Sequence, residues 1–146
     1  MRFLFWNTHN NKNINQILCD IIVEQKINVA ILAEYEDLTE DLISNLDLKG
    51  VEMKCYPSIG CDRLTILGTL KAVRQSRQSK YYSMQIINDR WLLCGVHLPS
   101  QMWADERTQI LAFQSVVHDI ELAEKESSLD ESIVVGDFNQ NPYPIR

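Results

Sequence analysis

At 146 residues and 45% apolar composition the chain is long enough to bury a core of its own, which excludes a disordered polypeptide and leaves room for a single domain, residues 1–146. A net charge of −6 and a pI near 5.0, with lysines and arginines scattered rather than clustered, exclude a general attraction for polyanions. Four cysteines without close-paired metal spacing, a leading apolar run too short for a signal peptide and no stretch of membrane-spanning length point to a reduced, cytoplasmic protein with no membrane partner.

The run Arg2 to Trp6 is aromatic and apolar and stops abruptly at Asn7-Thr8-His9-Asn10-Asn11, a cluster of turn formers, so a strand gives way to a loop. Ile14, Ile17, Leu18, Ile21 and Ile22 recur at helical spacing and predict an amphipathic helix from about Asn13 to Gln25. Ile27 to Ala33 is nearly continuous apolar sequence, the pattern of a strand covered on both faces. Asp37, with Glu40 three residues later, forms the pattern of a capping box opening a helix towards Leu46. In the middle of the chain Val51 to Tyr56, Leu64 to Leu70, Tyr81 to Ile87 and Trp91 to Val96 read as strands, the last two joined by a tight turn at Asn88-Asp89. Trp103 to Lys125 predicts a long amphipathic helix, and Ile133-Val134-Val135 a final buried strand that leads into Gly136-Asp137-Phe138-Asn139-Gln140-Asn141-Pro142. Alternating strands and helices followed by consecutive strands define a layered domain of mixed α/β (α+β) type.

Apolar strands end at Asn7, at Glu34, at His97 and at the pair Asp137 and Asn139, all groups that phosphoester chemistry uses, and strand ends in a layered fold can meet on one rim. Glu34, at the mouth of a dry strand, suits a hard cation that keeps most of its waters; it equally suits the positive end of the helix that follows. Asp137 and Asn139 are two apart, so in an extended segment both face one site while Phe138 packs inward; an ordinary turn accounts for the same residues. His97 stands where a buried strand opens into a loop, as a donor to a phosphate oxygen or as a hydrogen-bonded structural residue. His9 and His118 are weaker candidates. Arg63, Arg74, Arg77, Lys80 and Arg90 make the middle of the chain the place to look for substrate contacts.

Taken in order, Phe5-Trp6-Asn7, Leu32-Ala33-Glu34, Val96-His97-Leu98-Pro99-Ser100, Arg107 and Gly136-Asp137-Phe138-Asn139 resemble the successive motifs of the endonuclease/exonuclease/phosphatase superfamily, whose members include deoxyribonucleases, abasic-site endonucleases, inositol-polyphosphate phosphatases and sphingomyelinases. The resemblance implies a deoxyribonuclease-like, four-layer α-β-β-α sandwich with two central sheets and a metal-dependent phosphoester hydrolase, with nucleic acid among its substrate classes. It further implies that Glu34 ligates magnesium or manganese, that Asn7 supports the metal and phosphate, that Asp137 aligns the attacking water, that Asn139 contacts the scissile phosphate and that His97 assists there. The superfamily's last motif, Ser-Asp-His-like, has no counterpart here. The expectation is therefore a fragment, one half of a split protein or a shortened member that binds without catalysing. An unfinished sheet in such a chain invites a homo-oligomer or a complementing C-terminal segment.

Overall fold

The computed structural model describes residues 1–140; Asn141 and Pro142, named above, lie outside the described residues. Strand β1 (Phe3–Asn7), helix α1 (Asn15–Glu24) and strand β2 (Val29–Ala33) form the first unit, with β1 and β2 pairing in parallel from Phe3↔Val29 to Asn7↔Ala33. Parallel neighbours need a crossover, and α1 supplies it. Helix α2 (Thr39–Leu48) follows, then the two-residue strand β3 (Lys54–Cys55) and β4 (Leu64–Gly68), which runs antiparallel to both β2 and β3. The second sheet is built from β5 (Val73–Gln78), β6 (Tyr82–Ile87), β7 (Trp91–His97) and β8 (Ser132–Asp137), with α3 (Glu106–Ser127) crossing between the parallel pair β7 and β8. Their orders are β1-β2-β4-β3 and β5-β6-β7-β8.

Side-chain alternation along the strands makes four layers out of these elements. Ala30, Leu32 and Leu67 face outwards against Leu18, Cys19 and Ile22 of α1 and Leu42 and Leu46 of α2. Val29, Ile31, Ala33, Leu64 and Ile66 face inwards and meet Ile87 and Leu93 of the second sheet. On that sheet's outer side Met84, Ile86, Leu92, Cys94 and Val96 pack under Ala112, Val116 and Ala123 of α3. The expected α-β-β-α sandwich is therefore present, and no helix among the described residues is long and apolar enough to cross a membrane.

The structure corrects several sequence expectations. Asp37 does not open α2, whose N-cap Leu38 makes no side-chain bond. Its carboxylate instead reaches across to α1 and accepts from the backbone N–H groups of Asn13, Ile14 and Asn15 at 2.8, 2.7 and 3.2 Å, satisfying donors that a helix start leaves free. The Val51 to Tyr56 strand shrinks to Lys54–Cys55, since Met53 and Tyr56 turn into the core and Pro57 interrupts the ladder. Strand β5, Val-Arg-Gln-Ser-Arg-Gln, carries no alternating apolar pattern because it is an edge strand pairing on one side only. Asn88 and Asp89 do make the tight turn, both in the left-handed region with φ of 53° and 49°.

The two flanks of the sandwich differ. On one, β3 is two residues long and β5 carries Arg74, Arg77 and a register shift between Gln75 and Gln78, devices that discourage further pairing. On the other, β1 and β8 lie against each other as the edges of their sheets, each hydrogen-bonded on one side only among the described residues. Neither is blunted. Phe3, Phe5, Ile133 and Val135 are half-buried at the lip of the inter-sheet core, and Val134 is 38% exposed.

Candidate active site

The C-terminal ends of β1, β2, β7 and β8 converge on one cavity of about 330 Å³ lined by Asn7, His9, Glu34, Arg63, His97, Ser100, Met102, Trp103, Asp137 and Asn139. All five residues singled out from the sequence, Asn7, Glu34, His97, Asp137 and Asn139, are among them. The reason is topological: both crossovers, through α1 and through α3, make their strands parallel, and parallel neighbours deliver their following residues to the same end.

Glu34 follows β2 with a left-handed backbone, φ 52°, a conformation that costs a non-glycine residue about 1–2 kcal/mol. Buried Thr8 offsets this by donating its hydroxyl to the Glu34 carbonyl at 2.6 Å, and Asn10 N–H donates to the same oxygen at 3.0 Å. The carboxylate itself is held loosely. Asn7 Nδ2 lies 3.4 Å from Oε1, Asn10 Nδ2 3.5 Å from Oε2, His97 Nε2 3.5 Å from Oε1 and His9 Nδ1 3.9 Å from Oε2. These separations exceed those of strong charge-assisted bonds, so both oxygens remain available to an incoming cation. Asn7 Oδ1 accepts from His9 N–H at 3.0 Å, which turns its amide donor towards Glu34. The alternative reading of Glu34 as a helix-start residue does not hold, since α2 begins only at Thr39.

His97 is 6% exposed. Burial pushes its imidazole below the usual value and the Arg63 guanidinium adds to this, while Glu34 and Asp137 pull the other way. The neutral ring turns Nε2 towards Glu34, and its buried Nδ1 finds no partner among the described residues.

The Gly136-Asp137-Phe138-Asn139 segment reaches the cavity by a different geometry from the extended one expected. Asn139 is left-handed, φ 48°, and its N–H donates to Asp137 Oδ1 at 3.0 Å, closing a local turn. Asn139 Nδ2 donates to Leu98 O at 2.8 Å, and Phe138 packs inward edge-on to Phe113. Glycine is required at 136 because a Cβ there would stand 1.9 Å from Val96 O on the neighbouring strand.

Two further contributors are Arg63, expected from the sequence among the basic residues of the middle of the chain, and Gln109, which the sequence reading does not single out. Arg63 lines the cavity, donates weakly to His97 O at 3.5 Å and lies 5.0 Å over the Tyr81 ring. Of the basic residues expected to meet substrate it alone lines this cavity: Arg74 pairs with Asp89, Arg77 with Asp119 and Glu126, and Arg90 with Glu131. Gln109, 4% exposed on α3, donates to Pro99 O at 3.0 Å and to Asn139 O at 3.3 Å, so it ties the loop after β7 to the turn after β8. A glutamine at a core position of an amphipathic helix was the available signal. Arg107 is exposed and does not line the cavity, and His118 is exposed on α3.

The four-layer sandwich is the deoxyribonuclease-like fold that the sequence resemblance implied. Among solved structures the chain is similar to the human Nocturnin catalytic domain with bound sulfate anion, at 12% identity and a TM-score of 0.68 over 97% of this chain and 66% of that one. It is similar also to D. rerio TDP2 complexed with single strand DNA product (15%, 0.58, 95% and 60%) and to an AP endonuclease from Archaeoglobus fulgidus (13%, 0.60, 98% and 58%). At such identities the likeness establishes the fold. The chain spans between 58% and 66% of the length of these structures. No family model and no curated protein matches the sequence.

Proposed function

We propose that this chain carries the cation- and phosphate-binding part of a magnesium-dependent phosphoester hydrolase centre, and that turnover requires a second polypeptide segment seated along β1 and β8. The observation that supports this is the position of Asn7 and Asp137, which end β1 and β8, the two edge strands of one flank, each unpaired on its outer side among the described residues. The cavity therefore stands at the border of a sandwich open on that flank, and a further strand beside either edge would add to its wall.

The donor set suits magnesium or manganese. These ions bind through one or two carboxylates and keep most of their waters, and Glu34, with Asn7 beside it, offers a carboxylate free of short bonds. No group of three or more His, Cys, Asp and Glu side chains able to hold a metal lies among the described residues, so the metal reading rests on Glu34 and Asn7. Bound there, the ion offsets charge on the phosphate. The remaining work belongs to side chains of this chain. Asp137 Oδ2, the oxygen that does not accept from Asn139 N–H, takes a proton from the attacking water as its oxygen bonds phosphorus and the ester oxygen departs. Neutral His97 and the Asn139 amide donate to phosphate oxygens, and Arg63 adds positive charge. The departing oxygen takes its proton from solvent or from the completing segment. The sulfate of the Nocturnin domain and the DNA product of TDP2 support a phosphoester substrate, nucleic acid included. Unbridged cysteines, of which Cys19, Cys61 and Cys94 are buried, agree with a reducing, cytoplasmic setting.

The test pairs binding with turnover on the 146-residue chain. Calorimetry is expected to find magnesium and phosphate binding that is lost in Glu34→Gln, with negligible hydrolysis of a panel of nucleic acids and small phosphoesters. Efficient hydrolysis by the chain alone, abolished by chelator, Glu34→Gln and Asp137→Asn, would remove the need for a second segment. Failure to bind either magnesium or phosphate would refute the reading as a whole.

A further inference from the structure

One wall of the cavity is apolar and plays no part in the chemistry above. Met102 and Trp103 are 84% and 83% exposed, and both line the same cavity as Glu34, Arg63 and His97. Tryptophan is a residue that folding tends to bury, and an indole left open beside a polar site gains most from a flat partner that arrives with the ligand. The turn that carries it is well anchored. Trp103 N–H and Ala104 N–H both donate to Ser100 O, at 3.0 and 3.1 Å, while Gln109 holds Pro99 O on one side and Asp105 caps α3 on the other by accepting from Thr108 N–H at 2.8 Å.

Elsewhere on the cavity lining is a cation. Arg63 is steadied by its position over Tyr81, whose ring also has Lys80 Nζ 5.6 Å from its centroid. We infer that Trp103, flanked by Met102, stacks on the heterocyclic base of a nucleotide-type phosphoester whose phosphate is drawn to Arg63 and to the Glu34 side of the cavity. This inference rests on the phosphoester reading given above and narrows its substrate class. It also resolves how an acidic chain holds an anionic ligand. With a net charge of −6 and Arg74, Arg77 and Arg90 already paired to carboxylates, the described residues form no basic track for a long duplex. Stacking supplies affinity independent of such a track, which favours a short or single-stranded end presenting one unpaired base.

The experiment compares a dinucleotide with the corresponding abasic sugar-phosphate, titrated into the 146-residue chain in magnesium and followed by tryptophan fluorescence and calorimetry. The unsubstituted chain and Trp103→Phe are expected to bind the dinucleotide about tenfold more tightly than the abasic ligand, from the usual worth of one base–aromatic stack. Trp103→Ala is expected to bind both alike, and Glu34→Gln to weaken both together. Equal binding of the two ligands by the unsubstituted chain, with the Glu34→Gln loss intact, overturns the stacking role and leaves the phosphoester site standing. A base preference that survives in Trp103→Ala overturns it too. Failure of both ligands to bind overturns this inference along with the reading beneath it.

Discussion

Gln109 ties together two segments of the site without lining the cavity. Its amide bridges Pro99 O and Asn139 O from a position that is 4% exposed, and its own carbonyl accepts from Gln140 Nε2 at 3.2 Å. Gln109→Met keeps the volume and removes both donors, stranding carbonyl oxygens next to a buried position. At about 1 kcal/mol of net stability per buried hydrogen bond, with some added cost for acceptors left unpaired, the loss is about 2–3 kcal/mol. Gln109→Glu is worse at neutral pH, because a carboxylate would then face two carbonyl oxygens. To stay neutral it must raise its pKa, at about 1.4 kcal/mol for each pH unit above the reference value. A group whose folded pKa lies above its unfolded one loses stability as pH rises, so the Glu variant should recover towards the Met variant between pH 7.5 and pH 5. Urea denaturation at the two pH values measures this, and calorimetry with phosphate reports whether the Asp137–Asn139 turn has loosened. Two variants within about 0.5 kcal/mol of the parent, or a Glu variant no worse than Met and indifferent to pH, would refute the bridging role.

Asp37→Ala should destabilise the fold by about 2 kcal/mol in urea, since one carboxylate serves three backbone donors at and just before the start of α1, and Asp37→Asn should lose less because an acceptor oxygen remains. His97, with its pKa held below the unfolded value of about 6.5, contributes stability that is complete above that pH and is lost as pH falls towards the folded value. In chelator, the fall in melting temperature from pH 7.5 to pH 5.5 should therefore be smaller in His97→Gln, whose neutral amide does not titrate; Arg63, Glu34, Asp137 and His9, which face the ring, are retained in both proteins.

Local chemistry along the chain was enough to place most of the elements and the residues that end them. An unbroken apolar run such as Val29–Ala33 has the pattern of a strand covered on both faces, and the polar residue after it then stands at the sheet's rim. The same argument places Asn7, Glu34, His97 and Asp137 at strand ends. Strand β5 gives no such signal, because an edge strand with solvent on one side needs no apolar alternation, and β3 is shorter than its apolar residues suggest because Met53 and Tyr56 are apolar for reasons of core packing. Asp37 was given to the wrong helix: the spacing to Glu40 is a local signal, whereas its three partners lie more than twenty positions earlier.

What only the tertiary structure decided is which groups meet. Arg63 and Trp103 carry no motif, and they reach the cavity because β4 lies beside β2 and because the turn after β7 folds back over the strand ends. The juxtaposition of β1 and β8 as the two open edges of one flank is likewise invisible in the sequence. Hydrophobic periodicity is a property of neighbours along the chain and so survives in a linear reading. Strand order and the shared rim depend on long-range pairing, which no single segment encodes.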